Sequence, residues 1–201
     1  MAAEPLPERG LVLVCGASRS GKSRWAESLA SQSGRAVTYL ATAAPRPDDH
    51  GWNERLALHR QRRPPAWGLM ETGAALSQAL AGMQVDRTRT ASTSGSSTNA
   101  PLLLIDSLGT WVAQHLEADP NAWEGIQTLL LQQLAAYPAP VLLVCEEVGW
   151  GVVPPTAVGG LFRDRMGALQ QRLMLQAADS WLVVAGRALN LHALGHPVPD
   201  G

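Results

Sequence analysis

Two stretches of the chain carry residue types that do chemistry at the spacing the chemistry needs. The first is Gly16-Ala17-Ser18-Arg19-Ser20-Gly21-Lys22-Ser23, a complete G-x-x-x-x-G-K-S run. Its glycines let the backbone curl so that successive N–H groups and the following helix N-terminus face phosphate oxygens. Lys22 then sits against the β- and γ-phosphates of a nucleoside triphosphate, and Ser23 supplies an oxygen to Mg²⁺. Lys22 is the only lysine among sixteen basic residues. A chain that otherwise uses arginine keeps a compact, strongly hydrated charge at the one position where a phosphate loop requires it. A chance glycine turn would leave the Lys-Ser pair unexplained. Asp106, directly after the apolar run Leu102 to Ile105, is placed like the acid that helps hold the metal, directly or through water. Capping the next helix is the plainer role for a carboxylate there.

The second stretch is His59 followed by Arg60, Gln61, Arg62 and Arg63. A neutral imidazole nitrogen is nucleophilic near pH 7. The arginines add positive charge and planar donor forks suited to phosphate. Spacing alone leaves a second reading open: Trp52, Leu56 and His59 fall on one helical face and pack inward, with the arginines as a solvated surface.

Both stretches need a scaffold. Leu11 to Cys15 reads as a strand running into the glycine turn, and a helical pattern follows through Trp25, Leu29 and Ala30. Ala36 to Ala41 reads as a second strand. Asp48 or Asp49 caps a helix through Trp52, Leu56 and His59, which Pro64 and Pro65 end. Glu71 to Met83 has an amphipathic helical pattern, and Asp86 to Pro101, rich in Thr, Ser, Arg and Gly, reads as a flexible surface loop. Leu102 to Ile105 and Val141 to Cys145 are continuous apolar runs of the buried parallel-strand type, separated by helical patterns through Trp111, Leu116, Trp123 and Leu129 to Leu134. Phe162, Met166, Leu169 and Leu173 mark a last long helix before a strand over Trp181 to Ala185. Alternating strands and helices predict an α/β fold, a doubly wound and mostly parallel sheet flanked by helices, of the P-loop NTPase type. The residues from Leu191 to Gly201 read as a loose tail.

The 201 residues, 46% of them apolar, suit one such domain spanning 1–201. A formal net charge of −1 leaves no footprint for nucleic acid or an anionic membrane, so small ligands are the expected partners. The opening residues lack the basic-then-apolar order of a secretory signal, and no apolar run reaches the roughly 18 to 20 residues of a membrane span. A soluble, cytoplasmic protein is expected. Cys15 and Cys145 each close an apolar run and read as buried thiols in a reducing compartment, without a disulfide.

The residues after the second strand are more distinctive than the phosphate loop: Ala41-Thr42-Ala43, Asp49, Arg55-Leu56, His59-Arg60, Arg63-Pro64, Trp67 and Glu71. With Cys15 to Arg24, Ala26-Glu27, Glu147-Val148-Gly149, Gly151-Val152-Val153-Pro154, Phe162-Arg163-Asp164, Gln171-Arg172-Leu173 and Trp181 to Val184, they resemble, in order, the adenosylcobinamide kinase and adenosylcobinamide-phosphate guanylyltransferase family of cobalamin biosynthesis. The match runs from about Leu11 to Gly186. It implies phosphorylation of adenosylcobinamide with ATP or GTP, then transfer of GMP from GTP to adenosylcobinamide phosphate through a guanylyl-histidine. His59 corresponds to that histidine. Positions matching Ala41, Thr42, Ala43, Glu71 and Asp106 contact the guanine nucleotide in the family, which leaves Asp106 with metal support and base recognition as candidate roles. Glu71 and Asp106 would accept from guanine N1 and N2. The family's homo-oligomers, trimers among them, are an inherited expectation. Gly51 and Trp52 depart from the family's usual glutamate and methionine, Glu146 from a common asparagine, and the loops at 42–49 and 86–101 are longer. A P-loop small-molecule kinase without guanylyl transfer and a nucleotide-binding switch protein are the alternatives.

Overall fold

Continuous apolar runs become the central strands of a parallel sheet, because strands with helices on both faces have no polar side to show. The computed structural model describes residues 5–94, 100–151 and 153–199, with backbone alone for residue 55 and residues 86–94. Seven strands form one sheet: β1 (Gly10–Gly16), β2 (Val37–Ala41), β3 (Gly68–Glu71), β4 (Leu102–Asp106), β5 (Pro140–Glu146), β6 (Ala177–Val184) and β7 (Arg187–Asn190). Their spatial order is β3-β2-β4-β5-β1-β6-β7. All pairings are parallel except β6 with β7.

Side chains alternate across the sheet with period two. Leu13, Leu103, Ile105 and Leu143 face one side, against Leu76 and Leu80 of α3 (Leu76–Ser94), Trp111 of α4 (Leu108–Ala113), Leu130 and Leu134 of α5 (Pro120–Ala136), and Met166, Leu169 and Leu173 of α6 (Ala157–Gln176). Val12, Val14, Leu102, Leu104, Leu142 and Val144 face the other, against Ala26, Leu29 and Ala30 of α1 (Lys22–Gln32). This is the doubly wound arrangement that the alternating pattern predicts. The remaining helices are α2 (His50–Arg62) and the single turn α7 (Leu191–Leu194). Cys15 and Cys145 are buried free thiols, level with one another on β1 and β5.

Three elements differ from the sequence pattern. Glu71 ends a short strand instead of opening a helix; β3 is exposed along its length, so periodicity has no burial to report, and the helix starts at Leu76 after a 3₁₀ turn over Gly73–Ala75. The backbone of α3 stays helical to Ser94, where composition suggests a loop, because a polar composition signals lack of burial, not lack of helix. Residues 95–99 of that stretch lie outside the described residues. The tail begins with ordered elements: β7 completes the sheet edge, and the Asn190 side chain caps α7 by accepting from the Ala193 N–H. No helix among the described residues is long and apolar enough to cross a membrane.

Leu104 is fully buried in β4, the strand that ends in Asp106. Leu104→Ala is expected to cost about 3 kcal/mol of unfolding free energy in urea denaturation; a cost below about 1 kcal/mol would mean that this strand is not packed as described.

Candidate active site

In a parallel sheet the carboxyl ends of the strands open on one edge, and ligands bind there. Here β1 ends in Gly16, β2 in Ala41, β3 in Glu71, β4 in Asp106 and β5 in Glu146. A cavity of about 250 Å³ lies at this edge.

The phosphate loop follows β1. A Cβ at Gly16 would lie 2.5 Å from the Val183 carbonyl oxygen, so only glycine fits. Arg19 at φ 61° and Gly21 at φ 104° occupy the left-handed region that curls the loop around Ser20. Lys22 is buried and donates from Nζ to the Ala17 carbonyl at 3.4 Å, keeping its charge at the cavity, which Ser18 also lines. The Ser20 hydroxyl is buried without a partner among the described residues. Helix α1 begins with its exposed amide ends directed at this loop, as an anion site requires.

Asp106 is the hub of the cavity floor. Tyr39 Oη donates to its Oδ2 at 2.8 Å, His59 Nδ1 lies 3.4 Å from the same oxygen, and the Ser23 hydroxyl also bonds the carboxylate. Burial alone raises a carboxyl's pKa; the donors His59, Tyr39 and Ser23 outweigh it and hold Asp106 below the usual range, so it is an anion. Burial first, and then the Asp106 charge, push the Tyr39 hydroxyl well above its ordinary value, which keeps it a donor. An Nδ1–H that donates to Asp106 leaves Nε2 of His59 as the ring nitrogen with the free electron pair. Arg62 Nη2 also lies 3.4 Å from Nδ1, but a nitrogen donating to Asp106 does not accept from a guanidinium; Arg62 has Glu27 as its partner at 3.3 Å.

Helix α2 brings His59 here with no buried residue among its described side chains. The Asp49 side chain caps its start by accepting from the Trp52 N–H at 2.9 Å, and Arg63 turns extended at its end before the two prolines. Trp52, Leu56 and His59 do share a face, and that face lines the cavity, not the core. Arg60 lines it too and pairs with Glu71 at 2.9 Å, while Arg63 stacks on the Tyr39 ring at 3.9 Å and leaves its Nε buried and unpartnered. Gln61 and Arg62 do not line the cavity: Gln61 lies about 200° round the helix from His59, and Arg62, on the His59 side, is turned to Glu27.

Ala41 and Ala43 line the cavity, but Thr42 between them does not. Its hydroxyl donates to the Ser107 carbonyl at 2.8 Å and also meets Thr110 Oγ1; its N–H goes to Asp106 and its carbonyl accepts from Gln114. Thr42 therefore ties the end of β2 to the start of α4. Ser107 and Thr110 complete a reciprocal cap at the start of α4, so Asp106 is not itself the cap. The Asp106–Ser107 peptide is cis.

Sequence reasoning missed Tyr39, which reads as a strand core residue, and the cavity-lining roles of Arg46, Glu146, Val148 and Phe162. Glu146 accepts from the Gly109 N–H at 2.7 Å. For Tyr39 one signal exists: a buried phenol needs a partner. The others are brought in by loops and neighbouring strands, and nothing local marks them. No cluster of three or more His, Cys, Asp or Glu poised to hold a metal occurs among the described residues.

Comparison with known proteins gives the family. Residues 12–191 match the family model described as cobinamide kinase / cobinamide phosphate guanyltransferase. The bifunctional adenosylcobalamin biosynthesis protein CobP of Pseudomonas aeruginosa is 36% identical over 180 residues, covering 89% of this chain and 95% of that protein. The bifunctional adenosylcobalamin biosynthesis protein CobU of Escherichia coli is 34% identical, covering 88% and 96%, and that of Salmonella typhimurium is 32% identical, with the same coverage of 88% and 96%. Among solved structures, the RadB recombinase aligns with 87% of this chain and 74% of its own at 15% identity and a TM-score of 0.44. A family match over 180 consecutive positions that include the phosphate loop, His59 and Asp106 leaves no other assignment: the chain is an enzyme, and it belongs to the cobinamide kinase / cobinamide phosphate guanyltransferase family.

Proposed function

We propose that this protein phosphorylates adenosylcobinamide with ATP or GTP and then transfers GMP from GTP to adenosylcobinamide phosphate, through a covalent guanylyl group on His59. The observation that carries this reading is the 3.4 Å pairing of His59 Nδ1 with the buried Asp106 carboxylate, in the same cavity as Lys22. A histidine with a merely structural role has no reason to face a phosphate-binding lysine.

In the kinase step the loop amides and Lys22 hold the triphosphate, and the aminopropanol hydroxyl of the acceptor attacks the γ-phosphorus in line. The P–O bond to the β-phosphate breaks and nucleoside diphosphate leaves. In the guanylyl step His59 Nε2 attacks the α-phosphorus of GTP; a P–N bond forms, the P–O bond to the β-phosphate breaks and pyrophosphate leaves. A phosphate oxygen of adenosylcobinamide phosphate then attacks the same phosphorus, and the P–N bond breaks to give the GDP-linked product. Asp106 stabilises the positive charge that the imidazole acquires on guanylylation and gives up when the acceptor displaces it. Arg60 and Arg63, with guanidinium groups at the cavity wall, neutralise the phosphate oxygens, and the unpartnered Ser20 hydroxyl and Arg63 Nε are available to them. Glu71, already bonded to Arg60, is placed to accept from a guanine edge over Ala41 and Ala43.

The Ser23 hydroxyl beside an ionised Asp106 offers hard oxygen donors, which suit Mg²⁺ shared with phosphates and water. When bound, Mg²⁺ would neutralise charge developing on the β- and γ-phosphate oxygens. A cytoplasmic setting and a homo-oligomer, a trimer by analogy with the family, belong to the same reading.

Incubation with GTP labelled on the α-phosphate should leave label on the denatured wild-type protein and none on His59→Ala. Label on that variant would remove His59 as the nucleophile, and label on neither would favour a kinase without guanylyl transfer. Lys22→Ala should lower both activities by at least about a hundredfold, as losing a charge-assisted contact to the transferring phosphoryl group does; unchanged rates would mean that the loop does not hold the reacting nucleotide. Tyr39→Phe removes one donor to Asp106 and should slow His59 labelling about tenfold with the KM for GTP little changed. A rise in KM at constant rate would instead place Tyr39 in nucleotide binding.

A further inference from the structure

The segment Glu147 to Pro154 matches the family pattern but has no part in the nucleotide chemistry above, although it borders the same cavity. Val148 and Phe162, partly buried against the core, form the cavity wall on the α6 side. The same loop and the start of α6 also carry exposed apolar side chains: Trp150 is 70% exposed, Val153 69% and Val158 56%. The loop does not extend freely, since it folds back on the first turns of α6. Gly149, at φ 111°, packs against the Arg163 side chain, and a Cβ at Gly159 would lie 2.7 Å from Cβ of Pro154. Thr156 caps the helix by accepting from the Gly159 N–H at 3.2 Å. A single exposed apolar residue needs no explanation, whereas several at the border of a cavity mark a binding surface.

Size and polarity select the occupant. The cavity of about 250 Å³ is smaller than the roughly 300–1,000 Å³ of a pocket that encloses a drug-sized ligand. Its phosphate loop, Lys22 and arginines already commit it to a nucleotide. A corrin macrocycle with its adenosyl group is far bulkier than this space, so only the hydroxyl-bearing arm enters and the ring must rest on protein outside the mouth. The side of the mouth formed by α2 and β3 carries the Arg60–Glu71 ion pair, which would desolvate badly under an apolar ring face. On the α6 side Val148 and Phe162 line the cavity, and the charges of Arg163 and Asp164 are paired with one another.

We propose that the loop residues 148–151 and 153–154 with the first turns of α6, Trp150, Val153 and Val158 foremost, form the surface on which the corrin ring of adenosylcobinamide rests while its hydroxyl arm reaches the phosphate loop. This rests on the functional reading above and deepens it by naming the acceptor subsite. Because the contacts are exposed side chains, the test variants keep their fold. Trp150→Ala and Val153→Ser should each raise the KM for adenosylcobinamide about tenfold, the loss expected for part of a buried apolar contact. The KM for nucleotide and the yield of α-phosphate label on His59, which needs no corrinoid, should match wild type. An unchanged KM for adenosylcobinamide would overturn the subsite. So would a fall in sedimentation coefficient accompanied by loss of all activities, which would make the patch an interface between copies of the chain. Wild-type protein that takes label from GTP but does not phosphorylate adenosylcobinamide would remove the functional reading, and the subsite with it.

Discussion

A carboxylate that is nearly out of water must be bonded or it gives up its charge. Asp106, with 10% of its side chain exposed, keeps its charge because three donors from three different elements meet on it: Ser23 from α1, Tyr39 from β2 and His59 from α2. That single requirement fixes much of the geometry around the cavity. It holds the helix that follows the phosphate loop, the neighbouring strand and the arginine-bearing helix in one arrangement. It also sets which nitrogen of His59 is left with an electron pair. The same anion is thus a structural clamp before any ligand arrives and an electrostatic partner once one does.

Helix α2 shows the other side of this dependence. None of its described side chains is buried, so they draw little on the hydrophobic effect, and the contacts that hold it are a cap at Asp49, ion pairs from Arg60 and Arg62, the stack of Arg63 on Tyr39 and the His59 contact. Exposed ion pairs of this kind are individually weak, on the order of a few tenths to 1 kcal/mol. A helix held this way can change its contacts when phosphates compete for its arginines. The sheet beneath it cannot, being packed on both faces by fully buried strands. A rigid floor that carries Lys22 and Asp106 therefore sits under a wall of adaptable polar contacts.

Two further contacts shape the cavity. Trp52 lines it with Arg46 stacked on its ring at 4.6 Å, and its indole N–H donates to the Ala44 carbonyl at 2.9 Å, so the loop before α2 is folded against the helix. Glu146 accepts from the Gly109 N–H at the end of β5, and its carboxylate occupies the space a Cβ at Gly109 would take.

The sequence by itself determined the phosphate loop, the buried parallel strands and the helix that carries His59, because each is a local signal. Glycine spacing, continuous apolar runs, and a cap at Asp49 answered by a proline stop can all be read within about a dozen residues. Ordered co-linear motifs were enough for the family as well. Tertiary structure alone decided that Trp52, Leu56 and His59 face a cavity and not a core, since a 3.6-residue period marks a face but not what it meets. It also decided that Thr42 is a tie between elements, that Tyr39 reaches Asp106 across 67 residues, and that Arg60 and Arg63 line the cavity while Gln61 and Arg62 do not. The exposed strand β3 and the polar end of α3 escaped the sequence because patterns report burial, and neither element's sequence records any. Where the function depends on groups from distant strand ends converging on one buried charge, that convergence exists only after the chain has folded.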